Sequence, residues 1–165
     1  MTAMSVRLGS RAALMVSAAS ALTVSIDLAS KWVARRELTH GENHWLVDGV
    51  AGLELVSNRG VAFGLLESKW FTPAIVVVAV VVLVWLIFAS DHRSSGTGLT
   101  GAGCMLGGAL GNLVDRLPDR AVTDFIVLGP WPRFNLADTA LTLGLGLLAM
   151  RQIREATTLP PLGET

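Results

Sequence analysis

The chain lacks most of the side chains on which enzymes usually rely. It has one cysteine, Cys104, set in an apolar run. An intramolecular disulfide and a Cys/His nucleophile pair are both excluded. The three histidines, His40, His44 and His92, lie outside the apolar runs and at no metal-binding spacing. They read as solvated loop residues, so neither a metal site nor a Ser/His pair is expected. Charge is scarce too. Only 16% of the 165 residues are charged, and 13 basic residues balance 13 acidic ones. No basic surface points to nucleic acid. No glycine-rich phosphate loop stands out, because Gly103 to Gly111 fall inside an apolar run.

What remains is hydrocarbon. The chain is 52% hydrophobic with a mean hydropathy of +0.55, too apolar for a soluble domain of this size. A membrane-crossing helix needs about 20 mostly apolar residues. Four segments qualify once their polar ends are counted, at about 12–34, 71–90, 97–116 and 135–151. The first resembles a signal peptide, with Arg7, Arg11 and Ala19-Ser20-Ala21. Its apolar run continues unbroken to Asp27 and Lys31, which favours a retained helix. The reading is a single integral membrane domain over 1–165, an all-α bundle of four transmembrane helices, with a flexible tail from 152. Basic residues are spread at nearly equal density on the two sides, so they leave the orientation open.

Gly103, Gly107 and Gly111 recur at four-residue spacing in the third span, with Gly108 beside them. Such a face lets another helix approach closely, and packing within the chain is favoured over a dimer face. The loop from about 38 to 70 carries two short strand patterns, His44–Val47 and Leu53–Val56, with turn signals at Asp48-Gly49, Gly52 and Asn58-Arg59-Gly60. A small sheet on the membrane surface is expected there.

Counting spans gathers the polar residues. Asp27 and Lys31 end the first span. Asn112, Asp115 and Arg116 end the third, Asp124 follows in a loop, and Asn135 and Asp138 open the fourth. Alternation puts all of them, with Asn58, at one membrane face. Asn112, Asp115 and Arg116 share a helix face, and Asp27 and Lys31 stand in the favourable i, i+4 order. Each has a simpler reading. Asn135 and Asp138 form an N-cap with an acid in the first turn. Asp115-Arg116 is an interfacial ion pair. Asp27/Lys31 is structural pairing. Taken together, clustered aspartates in a small bundle suit peptide hydrolysis: one carboxylate acts as base on water and the other, protonated, polarises the carbonyl. The residues alone favour Asp115 as a dyad member, since it sits deeper. An ion or proton transporter is the alternative, weakened because no span has an acid at its middle. A non-catalytic assembly subunit would leave the aspartates unexplained.

At these positions the chain resembles the bacterial lipoprotein signal peptidases (signal peptidase II). The resemblance rests on Asp27-x-x-x-Lys31, Asn58-Arg59-Gly60-Val61-Ala62-Phe63-Gly64, Gly111-Asn112-x-x-Asp115-Arg116, Val122-x-Asp124-Phe125 and Phe134-Asn135-x-Ala137-Asp138. It implies four transmembrane helices under an extracytoplasmic β-cradle, in the cytoplasmic membrane, with both termini in the cytoplasm. It implies removal of the signal peptide of prolipoproteins just before a lipid-modified cysteine, by two aspartates without metal or other cofactor. The catalytic pair then falls on Asp124 and Asp138, with Asp115 as runner-up. Asn112, Asp115, Arg116, Asn135, Asp27, Lys31, Asn58, Gly60, Ala62 and Phe63 take supporting or substrate-binding positions. The implied partners are lipidated prolipoproteins and membrane lipids, and a monomer is the expected state. One departure is the short stretch 125–133 with Pro130 and Pro132, which looks stiff enough to alter substrate access.

Overall fold

The computed structural model describes residues 10–59 and 96–158. The expected second span at 71–90, and with it Gly60, Ala62 and Phe63, lies outside them. Three helices and a three-stranded sheet are seen: α1 (Ser10–Glu37), β1 (His44–Val47), β2 (Ala51–Asn58), α2 (Gly96–Asp119), β3 (Val122–Leu128) and α3 (Leu136–Thr158).

Helix α1 has 28 residues, or about 42 Å at 1.5 Å per residue. Among the described residues it is the one helix that is long and apolar enough to cross a membrane by length and composition. Its buried residues, Ser20, Asp27, Lys31 and Ala34, form a single narrow stripe. Leu14, Leu22, Ile26 and Trp32 on the other faces are exposed.

The glycines of α2 set the packing. A Cβ on Gly103 would lie 2.5 Å from Ala19 Cβ, and one on Gly107 would lie 2.7 Å from the Ser20 carbonyl oxygen. A Cβ on Gly111 would meet Asp27 Oδ2 at 2.6 Å. This face therefore packs on α1, within the chain. Gly101 and Gly108 open a second face, where a Cβ would meet Gly144 O at 2.9 Å and Ala137 O at 2.5 Å. Helix α3 packs there, and α2 is the middle of the trio. At its lower end α2 runs through Pro118 and stops at Arg120, which adopts a left-handed backbone (φ 57°) and returns its N–H to Arg116 O at 2.9 Å.

The sheet is antiparallel in the order β1-β2-β3. Gly49, at φ 68°, makes the tight turn between β1 and β2. Strand β1 has the limits the sequence suggests. Strand β2 is longer than expected, and Gly52 lies inside it, not in a turn. There it lets Trp45 of β1 approach, since a Cβ would sit 3.1 Å from the indole.

Two expectations need correction. Asp124 is in a strand, not a loop. Residues Val122–Leu128 pair with β2, with Val56 opposite Asp124 and Asn58 opposite Val122. The segment is β-branched and apolar enough for a strand, but its partner lies in the first loop, far away in sequence. The tail beyond 151 is also helical as far as Thr158. The apolar run ends at Met150, yet Arg151, Gln152, Arg154 and Glu155 are good helix formers. After β3 the chain turns at Gly129 (φ 47°) and doubles back, so that Phe134 bridges Ile126. An Arg133–Glu54 ion pair at 2.6 Å straps the Pro130–Pro132 turn to β2.

Candidate active site

The ends of α1 and α2, strand β3 and the start of α3 meet in one buried polar network. It begins with α3. Asn135 is the N-cap: its Oδ1 accepts from Asp138 N–H at 3.0 Å, and Asp138 Oδ2 accepts from Asn135 N–H at 3.3 Å. This is a reciprocal capping box, so the simple reading of Asn135 and Asp138 is correct as far as it goes. A third helix-start donor, Ala137 N–H, bonds to Asp27 Oδ1 of α1 at 2.9 Å.

The same groups reach inward. Asp27 and Lys31 are fully buried and paired at 2.7 Å. Lys31 Nζ also donates to Asn112 Oδ1 at 2.8 Å. A lysine can only donate, so Asn112 must turn its carbonyl toward it. The Asn112 amide group is then left to donate to Asp138 Oδ1 at 2.8 Å. Asn135 Nδ2 donates to Asp124 Oδ1 at 2.7 Å and reaches Asn112 Oδ1 at 3.1 Å. Asn58 Nδ2 at the end of β2 donates to Asp124 Oδ2 at 2.8 Å. Two asparagines thus connect the carboxyl groups of Asp124 and Asp138. Burial pushes the Asp124 carboxyl above the usual carboxylate range, and the nearby Asp138 charge adds to this; hydrogen bonds from Asn58 and Asn135 and the Lys31 charge oppose it.

Asp115 sits elsewhere in the network. Its Oδ1 is paired with Arg35, its Oδ2 accepts from Thr123 N–H at 2.6 Å, and Lys31 Nζ is 3.7 Å away. The expected Asp115–Arg116 ion pair is not among these contacts. Consecutive residues do not face each other on a helix, and Asp115 instead takes Arg35 from α1. Arg116 is half-buried, and its Nε has no hydrogen-bond partner among the described residues. Its charge acts instead on Asp138 and Asp124.

Nine of the sequence-selected residues can be placed, and eight of them share hydrogen bonds or ion pairs in this network. Among the described residues, Arg116 adjoins it through charge. Arg35 and Thr123 were not singled out. Arg35 had a signal, since it follows Lys31 by four residues and Asp27 by eight on one helix face. No group of three or more His, Cys, Asp or Glu side chains able to hold a metal occurs among the described residues. Beside Asp138 lies an open groove of about 320 Å3, walled by Leu128, Trp131, Phe134, Thr139 and Leu143.

Comparison with known proteins completes the picture. Residues 19–154 match the family model described as signal peptidase (SPase) II. A lipoprotein signal peptidase of Syntrophomonas wolfei is 42% identical over 134 residues, covering 78% of this chain and 85% of that protein. One of Shouchella clausii is 35% identical over 131 residues, covering 78% and 86%. Among solved structures, a bacterial membrane enzyme determined at 2.3 Å resolution superposes with a TM-score of 0.77 at 22% identity. The match covers 91% of this chain and 94% of that one.

Proposed function

The chain belongs to the signal peptidase II family of membrane aspartic peptidases, and on that premise we propose that it removes the signal peptide of prolipoproteins just before their diacylglyceryl-modified cysteine. Membership of a peptidase family displaces the transporter alternative. Asp124 and Asp138 form the catalytic pair, and water is the nucleophile. The observation that carries this is the linkage of the two carboxyl groups through Asn112 and Asn135 in a pocket sealed by Lys31 and Asp27.

Two neighbouring carboxyls cannot both ionise cheaply, so the pair holds one proton. Burial favours Asp124 as its holder. Asp138 then takes a proton from water as the water oxygen attacks the scissile carbonyl carbon. Asp124 donates to the carbonyl oxygen. Collapse of the tetrahedral adduct breaks the C–N bond: one hydroxyl returns its proton to Asp124 as the carbonyl re-forms, and the leaving nitrogen takes the proton held by Asp138, so the pair again holds one proton. Arg116 sets a positive charge beside the pair, and Asn58 steadies Asp124 from the sheet.

The remaining architecture follows the same reading. A second span at 71–90 completes a four-helix bundle with both termini in the cytoplasm. The sheet lies at the extracytoplasmic surface, with exposed Leu46, Val47, Val50 and Trp131 against the lipid. The groove beside Asp138 takes an apolar part of the substrate, and Gly60, Ala62 and Phe63 are assigned to substrate binding. The enzyme works as a monomer and without a metal.

The test is cleavage of a lipidated prolipoprotein by purified Asp124→Asn and Asp138→Asn variants. Each amide keeps the shape of the acid but cannot serve as base or acid. Each variant should lose cleavage while keeping its elution profile and helical content. Normal turnover by either one removes that residue from the pair. Loss of wild-type activity in EDTA, restored by zinc, overturns the metal-free mechanism.

A further inference from the structure

We infer that Arg35 is a positioning residue for the reaction: from behind strand β3 it clamps Thr123 and so fixes where Asp124 presents its carboxyl group. The inference rests on the assignment of Asp124 to the catalytic pair.

Successive strand residues point to opposite faces. Asp124 points to Asn58 and Asn135, the side of the catalytic pair. Thr123 points the other way, into the seam between α1 and α2. Arg35 meets it there with two donors, Nε at 2.9 Å and one terminal nitrogen at 2.7 Å from Thr123 Oγ1. The same terminal nitrogen pairs with Asp115 Oδ1. Asp115 closes the ring by accepting the Thr123 N–H through its other oxygen at 2.6 Å. One residue of β3 is thereby held at its side chain by α1 and at its backbone by α2.

The geometry needs a guanidinium. Two nitrogens of its rigid plane reach Thr123 Oγ1 together while one of them also pairs with Asp115, which the single nitrogen of an ammonium cannot reproduce. Arg35 is also badly placed for a merely structural strut. Its side chain is 47% exposed and borders an open cleft of about 470 Å3 shared with Ser57, Asp119 and Thr123. Water competes for such a pair, so it contributes little to overall stability. What it does constrain is the strand register next to the reacting group, where a displacement of about 1 Å can cost on the order of a hundredfold in rate.

The test uses purified full-length protein and a lipidated peptide under saturating and limiting substrate. Thr123→Val keeps size and backbone but deletes the hydroxyl acceptor, and it leaves Asp115 paired. Arg35→Met keeps the apolar stem and removes the fork. Each should lower kcat about tenfold and leave KM within about twofold, because substrate contacts are intact while the acid is displaced. Thr123→Ser should restore wild-type kcat. The double variant should be no slower than either single one, since both break one clamp. Wild-type kcat in Thr123→Val, or losses that multiply in the double variant, overturn the clamp. Asp124→Asn run alongside separates the two levels: if it is inactive while Thr123→Val is fully active, only the clamp fails. If Asp124→Asn still turns over, the catalytic assignment fails and the clamp falls with it.

Discussion

Lys31→Met is the perturbation that loads the buried network most directly. Lys31 and Asp27 have no solvent exposure. The substitution removes the charge-assisted bond to Asp27 at 2.7 Å and the one to Asn112 at 2.8 Å. Asn112 Oδ1 keeps its bond from Asn135, and Asp115 keeps Arg35 and the Thr123 N–H. Asp27 retains a single donor among the described residues, Ala137 N–H. Stripping a buried carboxylate of its counter-ion costs about 3–5 kcal/mol, and that is the expected loss. Adding Asp27→Leu should recover about 2 kcal/mol of it, since a lone buried charge disappears at the expense of one helix-capping bond worth about 1 kcal/mol. Reversible unfolding in mixed micelles with rising SDS, followed by circular dichroism, measures both. A single variant within about 0.5 kcal/mol of wild type refutes the reasoning. So does a double variant less stable than the single one.

Gly107→Ala should destabilise the bundle by about 1–3 kcal/mol, because its Cβ would collide with the Ser20 carbonyl, which cannot move away cheaply; Gly146→Ala, with nothing within 4 Å, should be neutral or stabilising by up to about 1 kcal/mol in the same unfolding assay. Asn58→Ala removes a bond that favours ionised Asp124, so the Asp124 carboxyl should rise further. The sign is fixed. A carboxyl raised by folding contributes stability at low pH that is lost as pH climbs through its folded titration, so that loss should move to higher pH in the variant. The limb of the pH–kcat profile set by Asp124 should move the same way, and an unmoved or acid-shifted limb contradicts the contact.

Much of the site was legible because span counting needs only the order of apolar and polar segments. It put Asp27, Asn112, Asp124 and Asp138 at one end of the bundle, and they share one network. Gly103, Gly107 and Gly111 announced a close helix contact through their four-residue spacing, and α1 fills it. Partner choice was not legible. Asp115 has Arg116 beside it in sequence and takes Arg35 from another helix instead. Helical spacing lists who shares a face, not who approaches from across the seam. Strand β3 was hidden for a related reason. Its apolar, β-branched residues read as a strand only when β2 is known to lie alongside, and the two are separated by the length of two spans. The capping box and the link to Asp124 use the same Asn135 side chain, so neither reading of that residue excluded the other.

The reach of the Asp27–Ala137 bond, across 110 positions of sequence, has a consequence for biosynthesis. The chain leaves the ribosome from its N-terminus, so Asp27, Asn58, Asn112 and Asp124 all emerge ahead of Asn135. A nascent or truncated chain ending short of Asn135 has an Asp124 without one of its two donors, an Asn112 without Asp138 and an Asp27 without a helix start to cap. On the proposed assignment of Asp124 and Asp138 as the catalytic pair, hydrolytic competence arrives in a single late event, when the first turn of α3 docks. On that assignment, Asp124 passes neighbouring polypeptides before it has the partner with which to cut them.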